Sequence, residues 1–312
     1  MSDTFSAVIG QSSVKRKLNF LLANYRANHI LPPIIFVAPK GQGKTLLSKS
    51  LARNLVQTDH KPKTFVEINC STIVNLTQFF NQVIVPYVVD KEVTVFLDEA
   101  SELPRDVEMS LLTILNPNPE HRNTFANQDF VVDFDLRKVS WIFATSEIHS
   151  VFEPLVDRLE RVDLEEYTHD QLGEIILKNL KEYKVNNRAL DCISSVLRGN
   201  GREAQKMADK IRFYLQARNK ISVEMSDWEF LRRELSILPL GLNINELTVL
   251  KKLKERPETS LTTLASKTGF SRAALQQNIE MYLLKNNLVE VRLRGRSLTP
   301  EGRKYLKSLE IA

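Results

Sequence analysis

The chain has 312 residues, 43% of them hydrophobic and 26% charged, a composition that suits a globular protein of two or three domains. No apolar run approaches the roughly 18 residues that a membrane span requires, and the first residues lack the basic flank and apolar stretch of a secretion signal. Two distant cysteines, Cys70 and Cys192, and five histidines at no ligand spacing argue against a disulfide framework and a zinc site, and for a reducing, cytoplasmic setting. The net charge of +5 is uneven: from residue 240 onward, 13 Lys and Arg face 7 Asp and Glu, a net of +6. All the excess basicity lies in the last quarter, which points to a polyanion partner for that part alone.

Four runs rich in apolar residues alternate with helical patterns: "PPIIFVA" (32–38), "TFVEINC" (64–70), "VTVFLDE" (93–99) and "VSWIFATS" (139–146). Runs of this kind suit parallel strands buried on both faces, and strand–loop–helix in this order predicts an open α/β sheet. The segment "KTLLSKSLARNL" (44–55) reads as an amphipathic helix with Leu46, Leu47, Leu51 and Leu55 on one side. Between strand and helix lies "APKGQGKT" (38–45), a phosphate-binding loop with Ala38 where the pattern opens on glycine. Gly41 and Gly43 keep side chains away from phosphate. Lys44 supplies a point charge between the β- and γ-phosphates, and Thr45 a hydroxyl for Mg²⁺. Because the opening residue mainly turns the strand, the methyl of Ala38 is a small intrusion. The third run ends on Asp98 and Glu99, where Asp98 suits Mg²⁺ and Glu99 the attacking water. ATP and Mg²⁺ are therefore the expected cofactors.

From about residue 168 the patterns are helical, and "SILPLGLN" (236–243) marks a second boundary. Beyond it, Ala265, Gly269 and Leu275 have the spacing of a helix-turn-helix, with Ser271 as N-cap. Ala274, Leu275, Ile279, Tyr282 and Leu283 are expected in its core, and Arg272, Gln276 and Gln277 outside. In "VEVRLRGRSLT" (289–299), Val289, Val291 and Leu293 alternate with polar residues and Gly295 is read as the turn. Arg292, Arg294 and Arg296 then form a basic wing that, with Arg272, contacts DNA phosphates. The alternatives for this module are a protein-binding winged helix or a hairpin whose charge protects a sheet edge.

These motifs, in this order, make the chain resemble AAA+ ATPases, and more closely the RuvB family of Holliday-junction branch-migration motors. The resemblance runs nearly end to end. It implies an AAA+ core (1–167), a helical lid (168–238) and a C-terminal winged helix (239–312). "FSAVIGQSSVKRKL" (5–18) resembles the family's N-terminal stretch, placing Ile9, Gly10 and Gln11 near adenine; Lys40, Gln42 and Leu46 belong to the phosphate loop. "FATSE" (143–147) places Ser146 in the sensor 1 slot. "EPLVDRLERVDL" (153–164) places Arg158 in the arginine-finger slot, with Val156 where a first arginine is expected. "RGNGREAQKMADKIRFY" (198–214) places Arg202 as sensor 2. On the residues alone, the alternative for Arg158 is a surface salt bridge with Asp157 or Glu160, and Ser146 could satisfy a carbonyl. Residues 116–138 take the place of a hairpin that in the family docks a RuvA domain, with Phe130, Val131 and Val132 as apolar candidates. The implied function is an ATP-driven motor, a homo-hexamer moving duplex or four-way-junction DNA, in a divergent version suited to a phage or mobile element. A helicase-loader-type switch or an ATP-binding DNA-bound regulator are the alternatives.

Overall fold

The computed structural model describes residues 4–127 and 129–311, without the side chains of 310 and 311. The outermost ends of the first and last expected domains, and Gln128 within the 116–138 stretch, lie outside the described residues. The chain divides into two compact units, residues up to 185 with 199–222, and 186–198 with 223 onward. The helices of the expected lid divide between them: His169–Asn179 and Gly201–Ala217 in the first, Asn187–Ser194 and Met225–Glu234 in the second.

The sheet and hairpin of the first unit are built from β1 (Ile34–Val37), β2 (Thr64–Asn69), β3 (Val93–Asp98), β4 (Arg122–Ala126), β5 (Val131–Asp135), β6 (Val139–Thr145) and β7 (Glu160–Asp163). Five form a parallel sheet in the order β2-β3-β6-β1-β7, while β4 and β5 make a separate antiparallel hairpin. The register sets Val37 beside Thr145 and Leu97 beside Phe143, so three central strands end at one edge of the sheet. Strand alternation sorts the core. Ile35, Val95, Leu97, Trp141 and Phe143 face the helix Arg105–Ile114 and the segment Phe80–Val88. Ile34, Phe36, Phe96, Ile142 and Ala144 face the opposite way, toward Leu47, Leu51 and the helix Ser12–Asn28.

Two expectations need correction. β2 is an edge strand, only partly buried, with Glu67 paired to Lys49 at 2.7 Å. Its alternation of apolar and polar residues belongs to a half-solvated position. The helix after the phosphate loop ends at Ala52; Leu46 is 40% exposed while Leu47, Leu51 and Leu55 are buried. Leu46, in the first turn, lines a cavity beside the loop instead of joining the core.

In the second unit, the helices Ile244–Glu255, Leu261–Thr268 and Arg272–Lys285, the last made of three consecutive segments, pack with the hairpin Val289–Arg292/Gly295–Leu298 and the helix Pro300–Ile311. Arg198 is clamped within this unit. It pairs with the fully buried Glu246 at 2.5 Å, donates to the Gly241 carbonyl and lies 4.0 Å over the Tyr282 ring.

A buried cation at the far end of the sheet gives this fold a pH signature. Lys63 is 4% exposed, and its Nζ donates to the Arg137 carbonyl (2.8 Å) and to Ser140 Oγ (3.1 Å). Burial pushes its ammonium down to about 8, against the pull of Glu92 and Asp135. An unfolded lysine keeps its proton to about pH 10.4. Between these values the unfolded chain binds more protons, so stability rises with pH across that window, and below it the cost of the buried charge is fully present. The difference in unfolding free energy between wild type and Lys63→Met should therefore shift toward the wild type from pH 8 to 10 and stay level below pH 7. Urea titrations across this range check it; a level difference throughout would refute it.

Candidate functional site

A cavity of about 460 Å³ opens at the carboxyl ends of the central strands of the first unit, within the range of about 300–1,000 Å³ usual for small-molecule sites. It is lined by residues 40–46, Asp98, Glu99 and Arg202, and at its other end by Ala7, Ile9 and Ile175.

The phosphate loop forms one wall, and its backbone is held in an unusual state of saturation. Every carbonyl from Ala38 to Gly43 has a donor. Lys44 Nζ serves Ala38 (2.6 Å) and Pro39 (3.3 Å), and Asn200 Nδ2 serves Lys40 (3.1 Å). The Gly201 amide serves Gly41 (3.0 Å), the Tyr167 hydroxyl serves Gln42 (3.3 Å), and the Leu47 amide serves Gly43 (2.9 Å). Among the described residues, the amides of 40–43 donate to no protein acceptor. A run of amides left without partners beside a helix start is an anion cradle.

The glycines carry a second burden. Gly41 (φ +87°) and Gly43 (φ +91°) are left-handed, and a Cβ on Gly41 would sit 2.0 Å from Asn200 Oδ1, on Gly43 2.8 Å from the Tyr167 hydroxyl. These positions are therefore closed by the protein itself, before any phosphate is considered. Ala38 has no such constraint: its methyl is 4% exposed, packed in the core, and its amide continues the sheet to Thr145. Gln42 turns inward, where its Nε2 donates to the Gly199 carbonyl at 2.8 Å and its Oε1 is buried without a partner among the described residues.

The electrostatics suit a polyphosphate. Lys40, Lys44, Lys178, Lys181 and Arg202 line the cavity against only Asp98 and Glu99. Burial lowers the Lys44 pKa; Asp98 and Glu99 oppose this, while Lys40 and Arg202 push it further down. An anion among these groups would relieve that strain. Burial likewise raises the Asp98 carboxyl, with Glu99 adding to it. Thr45 Oγ1 lies 3.4 Å from Asp98 Oδ2, two hard oxygen donors side by side where Mg²⁺ would take its remaining ligands from phosphate and water. Glu99 is left-handed (φ +55°) at the strand end and is 3.5 Å from the exposed Lys40, a pair of little energetic weight.

Four expected residues do not line the cavity. Gly10 (φ +63°) packs against Gln171 instead, and Gln11 exchanges two hydrogen bonds with the backbone of Glu165. Ser146 follows β6, half-buried. Arg158 donates to the Pro154 carbonyl at 2.7 Å, makes no ion pair with Asp157 or Glu160, and has its Nε buried without a partner among the described residues. Sequence reading missed Tyr167, Lys178, Lys181 and Asn200. Only Asn200 left a signal, as an N-cap residue before "GRE"; it caps Gly201–Ala217 by accepting from the amides of Arg202 and Glu203.

In the second unit, Ser271 caps the second helix, Leu275, Ile279 and Leu283 are buried, and Arg272, Gln276 and Gln277 are exposed. Two wing expectations are overturned. The turn is Leu293–Arg294, and Gly295 opens the returning strand, where a Cβ would lie 2.5 Å from the Thr259 backbone. Arg296 points away from the tip: its side chain, 15% exposed, makes a bidentate pair with Glu280 at 2.7 and 3.1 Å. Its charge is spent inside the unit. Arg292 is half-exposed, pairing with Glu290 and Glu258, and Arg294 is exposed.

A nucleotide cradle at the carboxyl edge of a parallel sheet, in a chain that also carries a winged helix, defines the class: a nucleotide-binding α/β domain joined to a winged helix. Residues 34–168 match the family described as "ATPase family associated with various cellular activities (AAA)", and residues 239–307 match the RuvB C-terminal winged helix domain. The chain is a RuvB-like AAA+ ATPase. It is 25% identical to the Holliday junction branch migration complex subunit RuvB of Phytoplasma mali, over 99% of this chain and 93% of that one. Its identity to the subunit of the same name from Ehrlichia canis is 27%, over 96% and 90%. A solved structure of Thermotoga maritima RuvB shares the fold at TM-score 0.75 and 23% identity, covering 96% of this chain and 95% of that one. A mutant form of it gives 0.78 at 22% identity, covering 98% and 97%.

Two substitutions check the packing. Gly41→Ala should cost roughly 1–3 kcal/mol without nucleotide, and less in an Asn200→Ala background, as a double-mutant cycle by chemical unfolding would read. Arg296→Ala should destabilise the chain by roughly 2–4 kcal/mol, because it strands Glu280. Arg294→Ala should leave the melting temperature in place while weakening DNA binding.

Proposed function

We propose that this chain is an ATP-driven DNA motor that moves Holliday junctions. The observation that carries the reading is the pairing, in one polypeptide, of a polyphosphate cradle with saturated carbonyls and a RuvB-type winged helix. Similarity to the RuvB subunits over nearly the whole chain supports it.

In this reading Ile9 and Gly10 belong to the adenine end, and the amides of 40–43 hold the phosphates. Lys44 leaves the carbonyls of Ala38 and Pro39 for the β- and γ-phosphates. Thr45 and Asp98 hold Mg²⁺, which when bound neutralises charge on the phosphate oxygens. Glu99 orients and polarises the attacking water. Ser146 and Arg202 sense the γ-phosphate. Arg158 does not line its own subunit's cavity, and its unpartnered Nε suits a role toward a neighbour's nucleotide, where it stabilises charge that develops in the transition state. That role makes the working form a ring of identical subunits, a hexamer by the family's pattern, with core, lid and winged helix as its three working parts. Arg272, Arg292 and Arg294 grip DNA phosphates; Arg296 supports them from behind.

The hairpin β4–β5 is the candidate docking site for a RuvA-like protein. Of its three apolar candidates only Val131 is free, 75% exposed; Phe130 stacks on Phe80 at 4.7 Å and Val132 packs on the core. Among the described residues no helix is long and apolar enough to cross a membrane, and we place the protein in the cytoplasm with its DNA.

Purified protein with ATP and a four-way junction, with and without a RuvA-type protein, tests the activity: junction unwinding is expected, and its absence in both cases would remove the motor reading. Glu99→Gln and Arg158→Ala should each lower DNA-stimulated hydrolysis by about 10²-fold or more. Mixing the two inactive variants should restore part of the rate, because some interfaces then pair an intact Glu99 with an intact Arg158. Full hydrolysis by Arg158→Ala alone would overturn the shared site.

A further inference from the structure

The wing carries a side chain that phosphate gripping does not use. Leu293, in the turn between Val289–Arg292 and Gly295–Leu298, is 108% exposed. Val291 behind it is 54% exposed, whereas Val289 on the same strand is buried. This apolar tip contributes nothing to the core of its own unit. On either side stand Arg292, half-exposed and paired with Glu290 and Glu258, and Arg294, which is exposed and makes no ion pair among the described residues.

An apolar point between two cations fits a polyanion that also offers hydrocarbon. Duplex DNA offers it in two places. Thymine methyl groups in the major groove depend on sequence, whereas deoxyribose edges line the minor groove at every nucleotide. That groove is about 6 Å wide with phosphates along both rims, a match for one leucine between two arginines. We propose that Leu293 enters the minor groove and packs against the deoxyribose walls while Arg292 and Arg294 hold the flanking phosphates. Contact with sugars alone makes the grip indifferent to sequence. Nor does it require unstacking base pairs, as in minor-groove proteins that insert wedges between them. The inference rests on the reading of the winged helix as a DNA reader and adds the groove and the contact.

The test uses the full chain and a short duplex of alternating A·T pairs, with binding followed by anisotropy over a range of salt. Leu293→Asn should weaken binding about three- to tenfold with the salt slope and melting temperature unchanged, since the side chain is exposed. Arg294→Ala should reduce the salt slope by about one. Netropsin, a minor-groove ligand, should displace the protein, and methyl green, a major-groove ligand, should not. Wild-type affinity in Leu293→Asn, or displacement by methyl green alone, would overturn the leucine contact. If Arg294→Ala and Arg272→Ala also left affinity and salt slope untouched, the DNA-reader reading would fall with it.

Discussion

The functional site depends on the saturation of the loop carbonyls. A backbone turn presents acceptors as well as donors, and an anion is repelled by the first as it is drawn by the second. Here Tyr167, Asn200 and Gly201 take three of those acceptors from outside the loop, and Lys44 and the first helical turn take the others. What remains facing the cavity is donor. This division also explains why the segment around Gly199–Gly201 must approach so closely, and why a side chain at Gly41 or Gly43 would be strained.

Charge then follows geometry. With its loop dipoles aligned, the cavity adds more cations than it can balance, and Lys44 rests on two carbonyls as a substitute for phosphate. The protein holds this arrangement because the sheet beneath is buried on both faces and rigid: β1, β3 and β6 deliver Ala38, Asp98 and Ser146 to one edge in fixed register. Packing provides position, and position provides the electrostatic field.

Much of this was legible in the residues. The three central strands announced themselves as apolar runs, and the loop and acidic strand end as spacing. What escaped was of two kinds. Partners from distant sequence, Tyr167 and Lys178, carry no local signal, because a lone tyrosine or lysine reads the same on any surface. The second kind is a side chain whose partner decides its role. Arg296 looked like a third wing cation because alternation places it beside Arg294, but Glu280 lies within reach and only the fold brings it there. Leu46 and β2 went astray for a related reason: a helical stripe or an alternating strand does not say how far the covering layer extends. The chemical reason for the loop glycines was also half complete, since phosphate clearance is only one of two constraints on them.

The Arg296–Glu280 pair has one more effect. It ties the hairpin to the second helix of the reader, while two backbone hydrogen bonds between Arg296 and Thr259 tie it to the segment before the first helix, and both joints resist spreading of the hairpin from the helices. A reader without that joint would conform to whatever double helix it met. This one has a fixed span, and any mismatch in curvature or width must be absorbed by the nucleic acid.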